Sequence, residues 1–315
     1  MSASPVWVKD LHRASGGREV LHGISFSVEI GESLGIVGPN LSGKSMLTKI
    51  LAGELAPSSG EARIVGIVPW DELHRVRKVL GYLPEEDLPS DPDASVEDYL
   101  LLAARLKELP RGQRTRAIEQ AIDIAAVRPL LRYPLRALSR GERRRAVLAQ
   151  ALLGDPRVLL LDAPFEGVDA KGSQELTTAL RQASTDRALI FATNRLQEAS
   201  ELCSRLLILS RGKIAGQGTP RELSFSQKVI ARDQIRVLLP NDKSAASLSE
   251  QLARLNGAQA VSFEINRDGS INFLVVAESD ICAEAVAVLV EQGAKVLAVQ
   301  ELESKLSSAY KALTQ

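Results

Sequence analysis

Short apolar runs alternate with segments of helical periodicity over the first 220 residues of the chain. Three of these runs, Ser33–Val37, Val158–Leu161 and Ala188–Thr193, are apolar on both faces. Runs of this kind are typical of central strands in a parallel sheet that helices cover on both sides. The pattern therefore predicts an α/β domain.

Residues 95–153 predict a helical subdomain within this domain. A serine is followed three residues later by an acidic residue at Ser95–Asp98 and again at Ser139–Glu142. This spacing is typical of helix N-termini, and it begins the first and third of three predicted helices. The second predicted helix runs from about Gln113 to Ala126.

The pattern changes after Thr219-Pro220 and predicts a second, smaller domain. The order of elements is βαββαβ with one further helix, which is typical of a ferredoxin-like α+β fold. We expect domains at 1–225 and 226–315, with Ser224–Asp233 as the linker. The predicted elements are Ile235–Leu239, Ala245–Leu255, Ala260–Ile265, Ile271–Val276, Ile281–Glu291, Lys295–Val299 and Leu302–Leu313.

Composition limits the class of protein. The 315 residues include 39 basic and 39 acidic side chains and are 45% apolar, as in a globular protein with a real core. No apolar run approaches the ~18 residues of a membrane span, and the start lacks the apolar core of a signal peptide, so we expect a cytoplasmic protein. Two isolated cysteines argue against a disulfide scaffold and against a metal centre.

One basic stretch raises the alternative of nucleic-acid binding. Residues 105–145 carry twelve basic side chains against four acidic ones, with Tyr133 as the single aromatic residue. We interpret this stretch as a solvated helix face, with Arg143–Arg145 supporting the helix that begins at Ser139. No nucleic-acid partner is expected.

The segment between Val37 and Met46 fits the pattern GxxxxGK[ST] between a predicted strand and a predicted helix. Such a loop wraps a phosphate with its backbone N–H groups, and the helix N-terminus adds a favourable dipole. Lys44 would pair with the β- and γ-phosphates, and the Ser45 hydroxyl would bind Mg²⁺. The predicted nucleotide-binding residues here are Gly38, Pro39, Asn40, Leu41, Ser42, Gly43, Lys44, Ser45 and Met46.

A strand that ends in an acidic residue supplies the second half of such a site. Val158-Leu-Leu-Leu-Asp162 has this form, and Asp162 would help to hold Mg²⁺. The expected cofactors are therefore ATP and Mg²⁺.

Further motifs follow in a fixed order. They are Gly81-Tyr-Leu-Pro-Glu85, Leu138-Ser-Arg-Gly-Glu142, Glu166-Gly-Val-Asp169 and Ala192-Thr-Asn194. Together with the phosphate loop they resemble, over about residues 5–222, the Q-loop, signature, D-loop and switch positions of the ATP-binding subunit of ABC transporters. The YLPE and LSRG variants and Leu302-Glu-Ser-Lys-Leu resemble a subgroup that energises export-type permeases.

This resemblance implies a P-loop NTPase fold and a specific assembly. In the family, two nucleotide domains enclose two ATP molecules, each between the phosphate loop of one chain and the signature of the other. Ser139 and Gly141 would contact the γ-phosphate held by a partner chain. The implied partners are a second ATP-binding subunit and an integral-membrane permease, with this chain peripheral on the inner face of the membrane.

Five positions depart from the family pattern. Ala163 replaces the glutamate that acts as general base, and Asn194 replaces the switch histidine. Glu85 replaces the Q-loop glutamine and remains a possible Mg²⁺ ligand or water-orienting group. Ser15 stands where an aromatic residue stacks on adenine, and Leu41 stands where a glycine is usual.

These departures lead to the hypothesis that the chain binds ATP but hydrolyses it poorly, and that it completes the site of a catalytic partner in a heterodimer. A homodimer is the alternative assembly. A second hypothesis is an active ATPase in which Glu85 or Glu166 replaces the missing base. A third is a non-catalytic regulatory or scaffold protein.

Overall fold

The computed structural model describes residues 4–85, 91–225, 231–240, 244–277, 281–303 and 305–314. The chain divides into two compact units, of which the first ends at Thr219 and the second runs from Pro220 to Leu313. The first unit therefore ends before the short helix Pro220–Phe225. The sequence had placed the boundary after this segment, at residue 225.

A six-stranded sheet forms the centre of the first unit. Its order is β5-β6-β7-β3-β8-β9, parallel except for β9, which runs antiparallel to β8. All residues of β6 and β7 are buried, as the apolar runs predicted. The strands are β3 (Ser33–Val37), β5 (Leu80–Leu83), β6 (Val158–Asp162), β7 (Ala188–Thr193), β8 (Arg205–Ser210) and β9 (Lys213–Gly218).

A separate antiparallel sheet was not predicted. It consists of β1 (Val6–Ser15), β2 (Arg18–Val28) and β4 (Ser59–Ile64) in the order β2-β1-β4. Gly16 and Gly17, with φ of 58° and 77°, form the tight turn between β1 and β2. Irregular pairing between Val8 and Ala14 breaks the alternation that would have marked β1 as a strand.

The three helices predicted within residues 95–153 are present. They pack together with their caps in place: Asp98 N–H donates to Ser95 Oγ at 3.1 Å, and Ser139 and Glu142 form a reciprocal capping box. The helices of the first unit are α1 (Lys44–Leu51), α2 (Leu73–Val79), α3 (Val96–Leu106), α4 (Arg111–Ala125), α5 (Arg140–Leu152), α6 (Ala170–Ser184) and α7 (Leu196–Leu202).

The interpretation of residues 105–145 as a solvated helix face is wrong for Arg144 and Arg145. Both side chains are buried, at 0% and 8% exposure. The reason is that α5 packs against α4, α6 and β5 at once, so its second turn has little access to solvent. Buried guanidinium groups require hydrogen-bond acceptors, and these two find them on neighbouring elements.

The second unit has the predicted βαββαβ order after a short helix. Its four strands form an antiparallel sheet in the order β11-β12-β10-β13, with a core that includes Ile235, Val237 and Phe273. Its elements are α8 (Pro220–Phe225), β10 (Ala231–Leu238), α9 (Ala245–Ala253), β11 (Ala258–Ile265), β12 (Ile271–Ala277), α10 (Cys282–Glu291), β13 (Lys295–Glu303) and α11 (Lys305–Thr314).

Two predicted boundaries in this unit are wrong. The expected linker Ser224–Asp233 is partly structured, because α8 extends to Phe225 and β10 begins at Ala231; residues 226–230 lie outside the described part. The last helix was expected to begin at Leu302, but β13 continues to Glu303, which pairs with Arg232 of β10.

None of the helices in the described part of the chain combines the length and apolar character that a bilayer span requires.

Lys107 at the end of α3 caps the carboxyl end of α5. Its Nζ donates to the carbonyl oxygens of Ala151 at 3.1 Å and Leu153 at 2.9 Å. Helix carboxyl ends attract cations, but burial lowers the pKa of Lys107 to about 8. The lysine therefore holds the signature helix in place at the cost of a partly desolvated charge.

We predict that Lys107→Met changes how stability depends on pH. An unfolded lysine keeps its proton up to an ordinary pKa near 10.5, whereas folded Lys107 loses it near 8. Between these values the unfolded state binds the extra proton, so raising the pH stabilises the wild-type fold relative to the variant, by on the order of 2 kcal/mol. Urea unfolding of both proteins at pH 7–10 measures the difference, and a constant difference would contradict this prediction.

Candidate functional site

The predicted site residues meet at one edge of the six-stranded sheet. Because β5, β6, β7 and β3 are parallel neighbours, their carboxyl ends lie side by side. Glu85, Asp162, Asn194 and the phosphate loop follow or end these four strands in turn. Clefts at this edge are where open α/β sheets bind ligands.

A cleft of about 820 Å³ opens there, within the range of nucleotide-sized sites. Its lining combines the phosphate loop with residues from the ends of β6 and β7, from β2, and from the β8–β9 turn. The lining residues are Arg18, Glu19, Val20, His22, Asn40, Leu41, Ser42, Gly43, Lys44, Ser45, Met46, Glu85, Asp162, Ala163, Glu166, Ala192, Thr193, Asn194 and Arg211.

Two glycines are required by the shape of the phosphate loop. A Cβ on Gly38 would lie 2.2 Å from the Leu209 carbonyl oxygen, so no other residue fits there. Gly43 has φ of 105°, and a Cβ on it would lie 2.7 Å from Cδ2 of Leu21. The loop therefore packs tightly against the sheet and turns directly into α1.

Leu41 lies in the left-handed region of backbone conformation, with φ of 66°, and its side chain is fully exposed. A branched residue in this region costs about 1–3 kcal/mol, whereas a glycine adopts it freely. The sequence singled out Leu41 for this reason, and the backbone has the conformation that makes the substitution costly.

The start of α1 has the features of an anion site. Gly43 at its N-cap makes no side-chain cap, and its first turn contains no acidic residue. The N–H groups of a first helical turn lack intrahelical acceptors. Lys44 Nζ donates to the carbonyl oxygens of Gly38 at 2.8 Å and Pro39 at 3.0 Å, and burial lowers the pKa of this lysine. A phosphate group would supply acceptors for the N–H groups of this first turn and a negative charge beside Lys44.

The predicted Mg²⁺ ligands lie on the acidic side of the cleft. Ser45 Oγ donates to Glu85 Oε2 at 3.2 Å, and Asp162 is 2% exposed. Thr48 Oγ1 donates to Asp162 Oδ2 at 2.6 Å, and burial raises the pKa of Asp162. Thr48 was not predicted, although it lies on α1 one turn after Ser45.

These oxygen ligands suit a hard cation such as Mg²⁺. In the described ranges, no three or more His, Cys, Asp or Glu side chains form a metal cluster by themselves. Mg²⁺ commonly takes one or two carboxylates and completes its shell with phosphate oxygens and water. Ser45, Glu85 and Asp162 fit this pattern beside the phosphate loop.

Ala163 and Asn194, at the positions that the family resemblance assigns to the general base and the switch residue, also line the cleft. Ala163 follows Asp162 with φ of 45°, and its N–H donates to the Ala192 carbonyl at 2.8 Å. A methyl group cannot accept a proton. Asn194 Nδ2 lies 3.4 Å from Asn40 Oδ1 of the phosphate loop, so the amide is within reach of a bound phosphate.

The expected adenine-stacking position is at the hairpin between β1 and β2. Ser15 ends β1 there, and the neighbouring wall of the cleft is formed by Arg18, Val20 and His22 of β2. No Tyr, Phe or Trp is among the described residues that line the cleft.

The signature residues do not line the cleft of their own chain. Ser139 caps α5, where its N–H donates to Glu142 Oε2 at 2.8 Å and its Oγ accepts from Glu142 N–H at 3.3 Å. A Cβ on Gly141 would lie 3.2 Å from the Cα of Gly172 on α6, so this glycine allows close helix packing. Neither Ser139 nor Gly141 is among the lining residues described above.

Comparison with known proteins agrees with this geometry. The family described as "ABC transporter" matches residues 21–166. The chain is 32% identical over 217 residues to the Nod factor export ATP-binding protein I of Ralstonia nicotianae, covering 69% of this chain and 67% of that protein. It is 30% identical over 254 residues to the protein of the same name from Burkholderia orbicola, covering 80% and 82%.

A solved structure shares the fold. This is cbiO1 from Clostridium perfringens, described as part of the ABC transporter complex cbiONQ. The two chains are 27% identical, with a TM-score of 0.62 over 71% of this chain and 92% of that one. With the phosphate loop, Asp162 and the motif order in place, the chain belongs to the ABC transporter family, as an ATP-binding subunit.

Proposed function

We propose that this subunit serves an export-type permease, and that its own site holds Mg·ATP but hydrolyses it poorly. One observation carries the proposal: the cleft keeps Lys44, Ser45 and Asp162 in position, while Ala163 follows Asp162 without a proton acceptor. Binding and hydrolysis need different groups, because the base acts on the attacking water and the loop acts on phosphate.

The direction of transport is proposed from relatives. Two of them are named for Nod factor export, and the match spans two thirds or more of the length of each of these two proteins. The subunit would lie in the cytoplasm, peripheral on the inner face of the membrane, in contact with an integral-membrane permease.

The second partner would be another ATP-binding subunit. Ser139 and Gly141 do not line the cleft of their own chain, which supports a role for them in a nucleotide site on a different chain. The exposed start of α5 would approach a γ-phosphate through the helix dipole. A heterodimer, in which this chain's signature completes the site of a catalytic partner, fits a signature that keeps Ser139 and Gly141 beside a cleft that lacks its base.

An active ATPase remains the second candidate, because two glutamates line the same cleft. Glu85 contacts Ser45, and Glu166 follows Ala163 by three residues. Either carboxylate could orient water in place of the missing base. The rate of ATP hydrolysis of Glu85→Gln and of Glu166→Gln, measured separately, shows which glutamate acts: the variant that loses turnover has lost the substitute base.

Retention of labelled Mg·ATP by the purified chain tests the proposal directly. We expect bound nucleotide to remain ATP over minutes, and Lys44→Ala to lose it because the loop loses its charged donor. Thin-layer separation of released nucleotide measures both. Rapid conversion to ADP would support the second candidate, and no retention by the wild type would favour a regulatory or scaffold role.

Ala163→Glu should create the missing function. The side chain at this position faces the cleft, so a carboxylate there would accept a proton from attacking water. We expect hydrolysis to rise by about 10²–10⁴-fold. Ala163→Gln is the matched control, because it has nearly the same size but cannot act as a base. Equal rates for the two variants would contradict the assigned role of this position.

Leu41→Gly should stabilise the protein and strengthen nucleotide binding. Glycine relieves the left-handed strain, so the free energy of unfolding should rise by about 1 kcal/mol after the entropy of glycine is included. Leu41→Ala shortens the side chain but keeps the backbone strain, so it separates the effect of side-chain size from the effect of backbone conformation. Thermal unfolding and Mg·ATP titration of both variants measure the two effects; equal stability of the variants would rule out backbone strain as the cause.

A further inference from the structure

Arg144 is the largest side chain that is completely buried in the described part of the chain. It lies on α5, five residues after Ser139, in the second turn of the signature helix. Burying a guanidinium group is costly unless acceptors surround it. The position of these acceptors shows what the arginine holds together.

The guanidinium donates to backbone carbonyls at two separate strand ends. Its Nη1 donates to the Pro84 carbonyl at 2.6 Å, and its Nη2 donates to the carbonyls of Glu85 and, at 3.1 Å, of Ala163. Pro84 and Glu85 follow β5, and Ala163 follows β6. One planar group on α5 therefore holds the main chain at Glu85 and at Ala163, the residue that follows Asp162.

Each of these strand ends continues into the cleft. The carboxylate of Glu85 accepts from Ser45 Oγ of the phosphate loop at 3.2 Å. The backbone of Ala163 is held on its other side, where its N–H donates to Ala192. A change at Ser45 that moves the main chain of Glu85 would therefore act on the bond between the Glu85 carbonyl and Arg144 of α5.

We infer that Arg144 is a positioning residue that couples the phosphate cleft of this chain to its own signature helix. The inference rests on the proposed function, since it requires that Mg·ATP binds in the cleft. Nucleotide in the cleft of this chain would then order the start of α5, the segment proposed to contact the γ-phosphate held by a partner chain.

Amide hydrogen exchange of the full chain, with and without Mg·ATP, tests this coupling. In the wild type we expect Mg·ATP to slow exchange both in the phosphate loop, residues 38–46, and at the start of α5, residues 139–145. The expected slowing at α5 is about tenfold, within the usual range of coupling between sites. In Arg144→Gln the phosphate loop should still be protected, and the response at α5 should fall below about twofold.

Arg145→Gln is the matched control. Arg145 is buried on the same helix, but it donates to the Ala126 carbonyl at 2.8 Å and pairs with Glu175 at 2.9 Å, away from the cleft. Its loss should lower stability without removing the ATP-dependent response at α5. A purely structural role for Arg144 predicts the same behaviour for both variants.

Arg144→Lys provides a second test in case the glutamine variant does not fold. Lysine keeps the charge, but a single ammonium group cannot span the two strand ends, so the response at α5 should be reduced. A full response at α5 in Arg144→Lys and Arg144→Gln would overturn the inference. Protection of the wild-type loop without any response at α5 would also overturn it, whereas no protection of the loop would instead refute ATP binding.

Discussion

The site depends on a sheet that is parallel and covered on both faces. Parallel order places the carboxyl ends of four neighbouring strands at one edge, and burial leaves that edge as the place where their polar ends can meet a ligand. Every polar group there must bond within the protein or face the cleft. The contact between Thr48 and Asp162 and the contacts of Lys44 with the loop carbonyls satisfy this requirement.

Two helix N-termini in the first unit differ in how their N–H groups are satisfied. Helix α5 begins with a reciprocal capping box between Ser139 and Glu142, and backbone and hydroxyl bonds from Ser139 lower the pKa of Glu142. Helix α1 begins at Gly43 without a side-chain cap. The first end is capped by side chains of its own helix, whereas the second has N–H donors that an anion could bind. This difference agrees with one end facing its own cleft and the other facing away from it.

The substitutions in the cleft affect groups that would transfer a proton more than they affect the charged groups that would bind phosphate. Lys44 and Asp162 are retained, while the position after Asp162 and the switch position have neutral side chains. In the proposed function, electrostatic binding of a triphosphate would survive these changes, because it depends on the loop, the helix and the lysine. Hydrolysis would lack its base. The burial of Arg144 against Glu85 and Ala163 shows that the main chain of this cleft is still held firmly.

Local signals in the sequence determined the elements that carry the site. The apolar runs predicted β3 and β7 to the residue, the serine caps predicted α3 and α5, and the loop pattern marked Lys44 and Ser45. These signals are local, because they depend on side-chain period and on bonds within one turn of helix. The bulged strand β1 was missed, since its irregular pairing interrupts that period.

Only the tertiary structure decided which distant residues touch. Thr48 and Asp162 are 114 positions apart, and nothing in either segment indicates the other. The arginine run 143–145 was expected to support the helix that begins at Ser139, but only packing of α5 against α3, α4, α6 and β5 buried two of its members and directed Arg144 to two strand ends. The sequence by itself determined the central strands and helices that carry the site, the phosphate loop and the family, because these follow from local pattern. The partners of the buried polar groups followed from packing, because only the folded arrangement brings separate segments within hydrogen-bond distance.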